Sequence, residues 1–358
     1  MLAQTPLCPP SYILKLVSLS MVDLLERQRV LLERPFSQLQ SRPASIPFLR
    51  SDQSPLRPFT DTESMTDPSY RSQILVFTTP LIGNYGVPNN KAPIDSQDVG
   101  VVMESEGIQC SAVVVADVAE KFSHHAAVES LASWCRRFNV PGITGVDTRE
   151  ITRLLRDQGT TLGRLAIGAD ASAPAPSPEQ YWDPSTENLV DQVSTKVPYH
   201  LNPNGDVRVA VLDFGAKANI LRSLIRRNAA VTVLPWNFDF NSVRDQYDGL
   251  FLTNGPGDPR HCMDAALKLR NTLQEWNKPV FGICMGHQVI GMAAGLEAYR
   301  MTFGNRGHNQ PVLALASAGS IKAGRVYVTR WPLHGFDHWT LTERNFFFLA
   351  KTISMHSN

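Results

Sequence analysis

A cysteine enclosed by glycines is the feature of this 358-residue chain that most clearly indicates chemistry. Cys284 follows the apolar run Val280–Ile283, with Gly282 two residues before it and Gly286 two residues after it. This spacing is typical of a nucleophile elbow, a strained strand-to-helix turn whose small neighbours allow close backbone approach. The helix that follows directs its positive N-terminus at the sulfur and favours the reactive thiolate. We therefore predict that Cys284 is a nucleophile and that the backbone N–H of Met285 faces a developing oxyanion.

A glycine-rich loop follows an earlier apolar run. Residues Asn254–Pro259 read N-G-P-G-D-P and come directly after the predicted strand Gly249–Thr253. Glycines such as Gly255 and Gly257 let backbone amides approach a substrate or an oxyanion. Alone, the same letters are equally typical of a plain tight turn. The position one strand–helix unit before Cys284 favours the functional interpretation.

The elements that must position these residues alternate regularly after Gly205. We predict strands at Val207–Leu212, Val231–Leu234, Gly249–Thr253 and Val280–Ile283, and helices at Ile220–Ile225, Ala265–Trp276 and Gly286–Ala294. Strands and helices in alternation predict an α/β domain with a doubly wound, mostly parallel sheet. In such a sheet the chemistry lies at the carboxyl ends of the strands.

The preceding part of the chain has a different pattern, typical of a mixed α+β unit over residues 66–168. Strands are predicted at Ile74–Thr78 and Ala112–Val115. Asp147 and Glu150 have the spacing of a capping box ahead of a helix that Gly159 would end. Another helix with one buried face is predicted from the spacing of Val128, Leu131, Cys135 and Phe138.

Composition excludes several broad classes of function. The chain has 34 Lys and Arg against 33 Asp and Glu, so its net charge of +1 gives no reason to expect a nucleic acid or an anionic membrane as partner. No run of about 18 apolar residues indicates a transmembrane helix. The cysteines lack C-x-x-C spacing, which indicates a reducing compartment and predicts a cytoplasmic location. They are Cys8, Cys110, Cys135, Cys262 and Cys284.

The first 62 residues are predicted to be an extended, poorly packed lead segment, because prolines with Ser, Gln and Arg follow the Leu-rich stretch Tyr12–Leu32. The Arg and Ser content leaves a mitochondrial transit peptide as an alternative, and Asp23, Glu26 and Glu33 weaken it.

The other titratable residues carry no predicted chemistry. His287 is expected to pack or to hydrogen-bond within the elbow helix, and His124 and His125 to be solvated. Without clustered Asp, Glu or Cys we predict no metal site and no cofactor in this chain. The cysteines expected only to pack are Cys110, Cys135 and Cys262.

Together, the Cys284 segment and the Gly255 loop resemble the class I glutamine amidotransferases. A narrower resemblance, to the small subunit of carbamoyl-phosphate synthase, covers about residues 63–329. It is carried by Thr66–Tyr70 (T-D-P-S-Y), Pro80–Gly86 (P-L-I-G-N-Y-G), Gly145–Arg149 (G-V-D-T-R) and Phe303–Pro311 (F-G-N-R-G-H-N-Q-P). The same resemblance implies a flavodoxin-like C-terminal domain and makes other Cys-elbow enzymes, such as the GMP and anthranilate synthases, weaker alternatives.

The resemblance implies hydrolysis of glutamine to glutamate and ammonia through a Cys284 thioester. It implies an oxyanion hole from the N–H groups of Gly255 and Met285. The partner would be a large synthetase subunit, or a fused synthetase domain, that uses ATP, Mg²⁺ and bicarbonate to make carbamoyl phosphate for pyrimidines or arginine. The residues that it implies for glutamine binding are Ser69, Gly255, Gly257, Met285, Gln288, Gly335 and Phe336.

Two segments depart from the family's pattern. Its S-Q-N-H-G-F/Y motif would align its last three letters with His334–Phe336, but Leu333 stands where Asn is expected. Its later H-P-E, which supplies the base and its orienting carboxylate, has no counterpart after Phe336. Two alternatives therefore stand beside an active glutaminase: a catalytically impaired relative, and an incomplete gene product.

We therefore divide the chain into five predicted segments. They are an unmatched extension (1–62), the small-subunit N-terminal domain (63–170), a linker (171–205), an incomplete amidotransferase domain (206–336) and an unmatched tail (337–358). The linker prediction rests on the proline-rich run Ala171–Ser185.

Overall fold

The computed structural model describes residues 43–46, 48–49, 59–89, 103–158, 161–165, 181–300 and 334–336. The chain divides into two compact units. The first comprises Met1–Thr66, Ser72–Asn89 and Gly107–Pro184, and the second comprises Asp67–Arg71, Asn90–Glu106 and Ser185–Asn358. The short segment that contains Ser69 therefore belongs to the same unit as Cys284.

The first unit is built on a parallel four-stranded sheet with the order β2–β3–β6–β9. Its described strands are β1 (Pro43–Ile46), β2 (Phe48–Leu49), β3 (Ile74–Phe77), β4 (Leu81–Ile82), β5 (Val87–Pro88), β6 (Ala112–Val114), β7 (Asp117–Val118), β8 (Ala127–Glu129), β9 (Gly142–Ile143) and β10 (Thr161–Arg164). Its described helices are α1 (Thr60–Thr66), α2 (Leu131–Arg137) and α3 (Thr148–Gln158). The remaining strands form the pairs β1–β10, β4–β7 and β5–β8.

The helix start at α3 confirms part of the predicted capping box. The Asp147 carboxylate accepts hydrogen bonds from the backbone N–H groups of Arg149 and Glu150, both at 3.0 Å. These bonds satisfy donors that a helix start leaves without intrahelical partners. Behind the helix, Ile151 and Leu155 enter the core together with Ile74, Val76 and Val114 of the sheet.

The prediction that Val128 belongs to a helix is wrong. Val128 lies in β8 with 61% of its surface exposed. The helix begins after Ser130, whose hydroxyl accepts from the backbone N–H of Ser133 at 3.2 Å. Apolar spacing alone did not reveal this cap, which separates strand from helix.

Residues 43–46 and 48–49 also differ from the extended, poorly packed segment predicted for residues 1–62. Strand β1 pairs with β10, and β2 pairs with β3 at the edge of the sheet. Pro43 is the first residue of β1, a position at which strands tolerate proline. The Leu-rich stretch Tyr12–Leu32 lies outside the described residues.

The second unit is built on a five-stranded sheet with the order β11–β13–β12–β14–β15. Its strands are β11 (Tyr199–Leu201), β12 (Val207–Asp213), β13 (Ala229–Pro235), β14 (Gly249–Leu252) and β15 (Val280–Gly282), and a separate pair is formed by β16 (Ala298–Arg300) and β17 (His334–Phe336). Its described helices are α4 (Leu189–Val193), α5 (Ala218–Ile225), α6 (Met263–Glu275) and α7 (Met285–Ala293). Short 3₁₀ turns lie at Pro68–Tyr70, Pro184–Thr186, Phe240–Ser242, Arg244–Gln246 and Pro259–Cys262.

This sheet confirms the predicted doubly wound α/β domain. Strands β12 to β15 are mutually parallel, and only the edge strand β11 runs antiparallel to its neighbour. Strand β12 is flanked by β13 on one side and β14 on the other, which gives the strand order of a flavodoxin-like fold. The chain places β13 on one side of β12 and then returns to place β14 on the other side. A crevice is therefore expected at the carboxyl ends of β12 and β14.

The interval predicted as a linker over residues 171–205 contains regular structure in its second half. Helix α4 and strand β11 both lie there, and β11 extends the sheet by pairing with β13. The proline-rich run that precedes them favoured a linker in the sequence analysis. The helix and the strand were not predicted, because such short elements depend on tertiary packing more than on their own sequence.

Two apolar clusters pack against the sheet of the second unit. One contains Leu212, Leu250 and Leu252 together with residues of α6 and α7. The other contains Val211 and Val233 together with residues of α5. Helices thus cover both faces, as a parallel sheet requires. No helix in the described part of the chain has the length and apolar character needed to cross a bilayer.

Candidate active site

The backbone at Cys284 has the strained conformation of a nucleophile elbow. Ile283 separates β15 from Cys284, which immediately precedes the first residue of α7 and has φ 53° and ψ −109°. Non-glycine residues rarely adopt a positive φ, and such strain clusters at functional sites. Its residue exposure is 4%, so the sulfur lies in a largely dry environment at the positive end of a nine-residue helix.

The two glycines around Cys284 are required by contact with neighbouring backbone. A Cβ added to Gly282 would lie 2.6 Å from the backbone nitrogen of His287. A Cβ added to Gly286 would lie 2.4 Å from the carbonyl oxygen of Leu252. Real Cβ atoms do not make such contacts, so the turn and strand β14 could approach this closely only without side chains at both positions.

The glycine-rich loop after β14 lies directly beside the elbow. Strand β14 pairs with β15 in a register that places Leu252 opposite Gly282. Beyond the strand ends, the N–H of Gly286 donates to the carbonyl oxygen of Thr253 at 2.9 Å. The chain therefore holds Gly255, two residues after Thr253, at the same edge of the sheet as Cys284.

The loops after β12 and β14 meet at the reversal point of the sheet. A Cβ on Gly255 would lie 2.1 Å from the carbonyl oxygen of Phe214, and one on Gly215 would lie 3.1 Å from Pro256. The Asp213 carboxylate holds the first loop by accepting from the N–H groups of Gly215 at 2.9 Å and Ala216 at 2.7 Å. Burial raises the pKa of Asp213 despite these bonds.

Asn254 hydrogen-bonds Ser69 to the loops that follow β12 and β14. Its amide nitrogen donates to the Ser69 hydroxyl and to the Gly215 carbonyl oxygen, both at 2.9 Å. Its amide oxygen accepts from the N–H of Lys217 at 3.1 Å. Asn254 is 4% exposed, so these bonds form in a buried setting. The structure thus brings Ser69 and Gly255 together through a residue adjacent to Gly255.

A buried ion network holds the segment Asp67–Arg71, which contains Ser69. The ammonium of Lys217 lies 3.1 Å from Glu104 and 3.5 Å from Asp67, whose side chains are 2% and 4% exposed. Asp67 in turn accepts from the N–H of Ser69 at 2.9 Å. Glu104 also accepts from the N–H of Asn219 at 2.9 Å, which caps the start of α5. Charges buried this deeply persist only when paired, so the network fixes three segments in one arrangement.

The remaining predicted binding residues lie on different elements. Gln288 is buried in the first turn of α7, where its N–H donates to the Cys284 carbonyl at 3.1 Å. Gly257 has φ +81°, a conformation that favours glycine. Gly335 and Phe336 lie on β17, opposite Tyr299 and Ala298 of β16 respectively.

The thiols predicted to be structural are confirmed to be buried. Burial raises the pKa of Cys262 to about 12, assisted by the negative charge of Asp258. Burial also raises the pKa of Cys135 to about 12, and that of Cys110 well above its ordinary value. Protonated thiols are poor nucleophiles, so these three cysteines are unsuited to the chemistry predicted for Cys284.

The histidines differ in their surroundings. His287 is buried in α7, as its predicted packing role requires. His124 stacks on His125 with ring centroids 4.4 Å apart and meets the Phe59 ring edge-to-face. Among the described residues, no group of three or more His, Cys, Asp or Glu side chains has the arrangement of a metal site.

Sequence reasoning missed three residues of this site. Asn254 was noticed only as the first letter of the glycine-rich loop, and neither Lys217 nor Glu104 was identified. Their hydrogen bonds and ion pairs join segments far apart in sequence, such as those of Ser69 and Asn254, which are 185 positions apart. The available signal was weak: Asn254 and Lys217 are polar residues just beyond the ends of β14 and β12.

Comparison with known proteins identifies both units. The family model "Carbamoyl-phosphate synthase small chain, CPSase domain" matches residues 60–165, and "Glutamine amidotransferase class-I" matches residues 210–352. The chain is therefore similar to the carbamoyl-phosphate synthase small chain over residues 60–165 and to class I glutamine amidotransferases over residues 210–352. The class I amidotransferase match agrees with the flavodoxin-like sheet order, and it extends beyond Phe336, the last residue that we aligned by motif.

Curated members of the small-chain family share about half of their aligned residues with this chain. The arginine-specific small chain of Chaetomium globosum is 51% identical over 256 residues, which cover 71% of this chain and 55% of the relative. That of Phaeosphaeria nodorum is 48% identical over 283 residues, covering 78% and 57%. That of Yarrowia lipolytica is 48% identical over 265 residues, covering 71% and 58%. The chain thus spans little more than half the length of these relatives.

Proposed function

We propose that this chain is the glutamine-hydrolysing component of a carbamoyl-phosphate synthase. The observation that supports the proposal most directly is the positive φ of Cys284 at the start of α7, beside the loop that carries Gly255. Its small-chain relatives support this function over an impaired relative or an incomplete gene product.

In this proposal the Cys284 thiolate attacks the side-chain amide carbon of glutamine. The carbonyl electron pair moves to oxygen, where the N–H groups of Gly255 and Met285 stabilise the oxyanion. The tetrahedral intermediate then collapses, the amide C–N bond breaks, and the departing nitrogen takes up the proton that the Cys284 thiol released on ionisation, so that it leaves as ammonia. Water attacks the resulting glutamyl thioester, which releases glutamate and returns the proton to the Cys284 sulfur.

Glutamine binding is assigned to residues around this centre. The Ser69 hydroxyl, the Gly257 backbone and the Gln288 side chain contact the amino acid in this proposal, together with Gly335 and Phe336. Support for Ser69 comes from its bond to Asn254, which fixes it beside the Gly255 loop. The positive φ of Gly257 supports a loop shaped for backbone contact rather than for side-chain packing.

The ammonia would pass to a large synthetase subunit or a fused synthetase domain, which uses ATP and Mg²⁺. The "arginine-specific" names of the relatives favour the arginine route over the pyrimidine route. We propose that the chain acts in the cytoplasm, with the mitochondrion as the alternative.

Glutamate release from glutamine by the purified full chain tests the proposal. Cys284→Ser should reduce this release to background, because a serine hydroxyl at this position carries no thiolate. Cys135→Ala is the matched control, since it removes a buried thiol in the first unit and should leave the release unchanged. Release that survives Cys284→Ser would overturn the assignment. Covalent labelling of Cys284 without turnover would favour the impaired relative.

A further inference from the structure

The Thr253 hydroxyl has two backbone partners that assign its donor and acceptor roles. Thr253 follows β14 directly and is 0% exposed. Its Oγ1 lies 2.9 Å from the backbone nitrogen of Phe214 and 3.0 Å from the carbonyl oxygen of Asn254. A backbone N–H can only donate and a carbonyl oxygen can only accept. The hydroxyl therefore accepts from Phe214 and gives its single proton to Asn254.

The second of these bonds fixes a whole peptide group. The carbonyl of Asn254 and the N–H of Gly255 belong to the same peptide, which is planar and trans, so the two groups point in opposite directions. Bonds to Gly215 and Lys217 hold the Asn254 side chain, but the peptide that follows can still turn about the Cα–C bond. The Thr253 hydroxyl restrains this turn and keeps the Gly255 N–H pointing away from it.

We propose that Thr253 is a positioning residue for the reaction, because its hydroxyl turns the Gly255 N–H towards the developing oxyanion. The inference rests on the proposed function, in which this N–H and that of Met285 stabilise the negative charge. The series from the Phe214 N–H through the Thr253 hydroxyl to the Asn254 carbonyl also polarises the peptide, since each hydrogen bond strengthens the next. Gly255 thus presents an oriented donor before the charge develops, which is how preorganised donors stabilise a transition state.

A second contact of Thr253 supports the elbow, and its effect must be separated from that of the hydroxyl. The Thr253 carbonyl oxygen accepts from the Gly286 N–H at 2.9 Å, next to the turn that carries Cys284. Hydrolysis of glutamine passes through an oxyanion, whereas alkylation of a thiolate by iodoacetamide is a displacement at a saturated carbon and forms none. The alkylation rate of Cys284 therefore reports on the elbow, and kcat reports on the elbow and the oxyanion site together.

Thr253→Val is the informative substitution, since valine has the same shape but no hydroxyl. In the full chain it should lower kcat for glutamate release about tenfold to a hundredfold, somewhat less than the about hundredfold to thousandfold cost of removing an oxyanion donor outright. KM for glutamine and the iodoacetamide rate at Cys284 should change less than about threefold, because the lost interaction is made only in the transition state. Thr253→Ser restores the hydroxyl and should return kcat to within about threefold of the wild type.

A merely structural role predicts a different pattern. Each substitution removes a buried group, a hydroxyl or a methyl, and should lower the urea midpoint, so a kcat that followed stability would fall in Thr253→Ser as well. Thr232→Val is the matched control, since it makes the same change in β13 of the same sheet, where the hydroxyl lies 3.0 Å from Nδ1 of His200, and should leave kcat unchanged. If Thr253→Val does not fold, Thr253→Ala replaces it, with the same expected difference from Thr253→Ser.

Three results would overturn the inference and leave the proposed function intact. They are a kcat within about threefold of the wild type in Thr253→Val, a loss of kcat in Thr253→Ser equal to that in Thr253→Val, and a fall in the iodoacetamide rate as large as the fall in kcat. The last result would show that the elbow accounts for both losses. A wild-type chain that releases no glutamate from glutamine would overturn the proposed function and this inference together.

Discussion

Replacing Gly286 by alanine perturbs the elbow through one added methyl group. The new Cβ would lie 2.4 Å from the carbonyl oxygen, 2.5 Å from the carbonyl carbon and 2.6 Å from the Cβ of Leu252. Two of these atoms are strand backbone, which cannot rotate away. Since comfortable separations are about 3.5 Å, α7 and β14 must move apart by about 1 Å.

The cost of this movement can be worked out from the contacts involved. Overpacking a well-packed interior costs about 1–3 kcal/mol, and backbone against backbone belongs at the upper end. Separation also weakens the 2.9 Å bond from Gly286 to Thr253, worth about 1 kcal/mol. The gain in helix propensity from Gly to Ala offsets at most about 1 kcal/mol. We expect Gly286→Ala to lower the free energy of unfolding by about 3 kcal/mol.

The labelling rate of Cys284 should fall as well, because a displacement of about 1 Å at a reacting atom costs about a hundredfold in rate. Urea denaturation measures the free energy of unfolding, and mass spectrometry follows covalent labelling of Cys284 by a glutamine-analogue electrophile. Gly249→Ala in β14 is the control, since its nearest contact would be Pro279 at an ordinary 3.7 Å. A Gly286→Ala variant with wild-type stability and labelling rate would refute the steric reasoning.

Three further outcomes follow from particular contacts. Glu104→Ala leaves Lys217 with one carboxylate and should cost about 3 kcal/mol in urea denaturation, whereas a loss below about 1 kcal/mol would contradict the ion network. Ser130→Ala removes the α2 cap and should cost about 1 kcal/mol by the same measurement, and an unchanged midpoint would argue against the cap. Because the pKa of Cys135 and that of Cys262 are raised to about 12, both thiols should resist alkylation at pH 8 until urea is added, as judged by mass spectrometry, and equal rates with and without urea would be inconsistent with their burial. Because folding raises the pKa of both thiols, they contribute to the free energy of unfolding at pH values below their ordinary pKa of 9.0. This contribution is lost as pH rises through about 12.

Local patterns in the sequence predicted the elbow and the sheet. The spacing of Gly282 and Gly286 around Cys284 is contained in five residues, and the structure shows the backbone contacts that require it. Strands β12 to β15 and helices α5 to α7 follow the predicted order, with boundaries shifted by one or two residues, because alternating apolar runs report directly on a buried parallel sheet.

Long-range contacts account for what the sequence did not predict. The bond between Ser69 and Asn254 joins residues 185 positions apart, and no local pattern encodes such a pairing. The same holds for Glu104 and Lys217, whose charges are paired only in the folded chain. Val128 was misassigned because apolar spacing does not report where a helix begins.

In the proposed reaction, Cys284 forms a covalent bond with the side-chain carbonyl carbon of glutamine. Rapid acid quenching of the full chain with glutamine, followed by digestion and mass spectrometry, detects this bond. We expect a glutamyl group on the peptide that contains Cys284, labile to hydroxylamine as a thioester and missing in Cys284→Ser. Glutamate release without any such adduct, or an adduct on another cysteine, would contradict it.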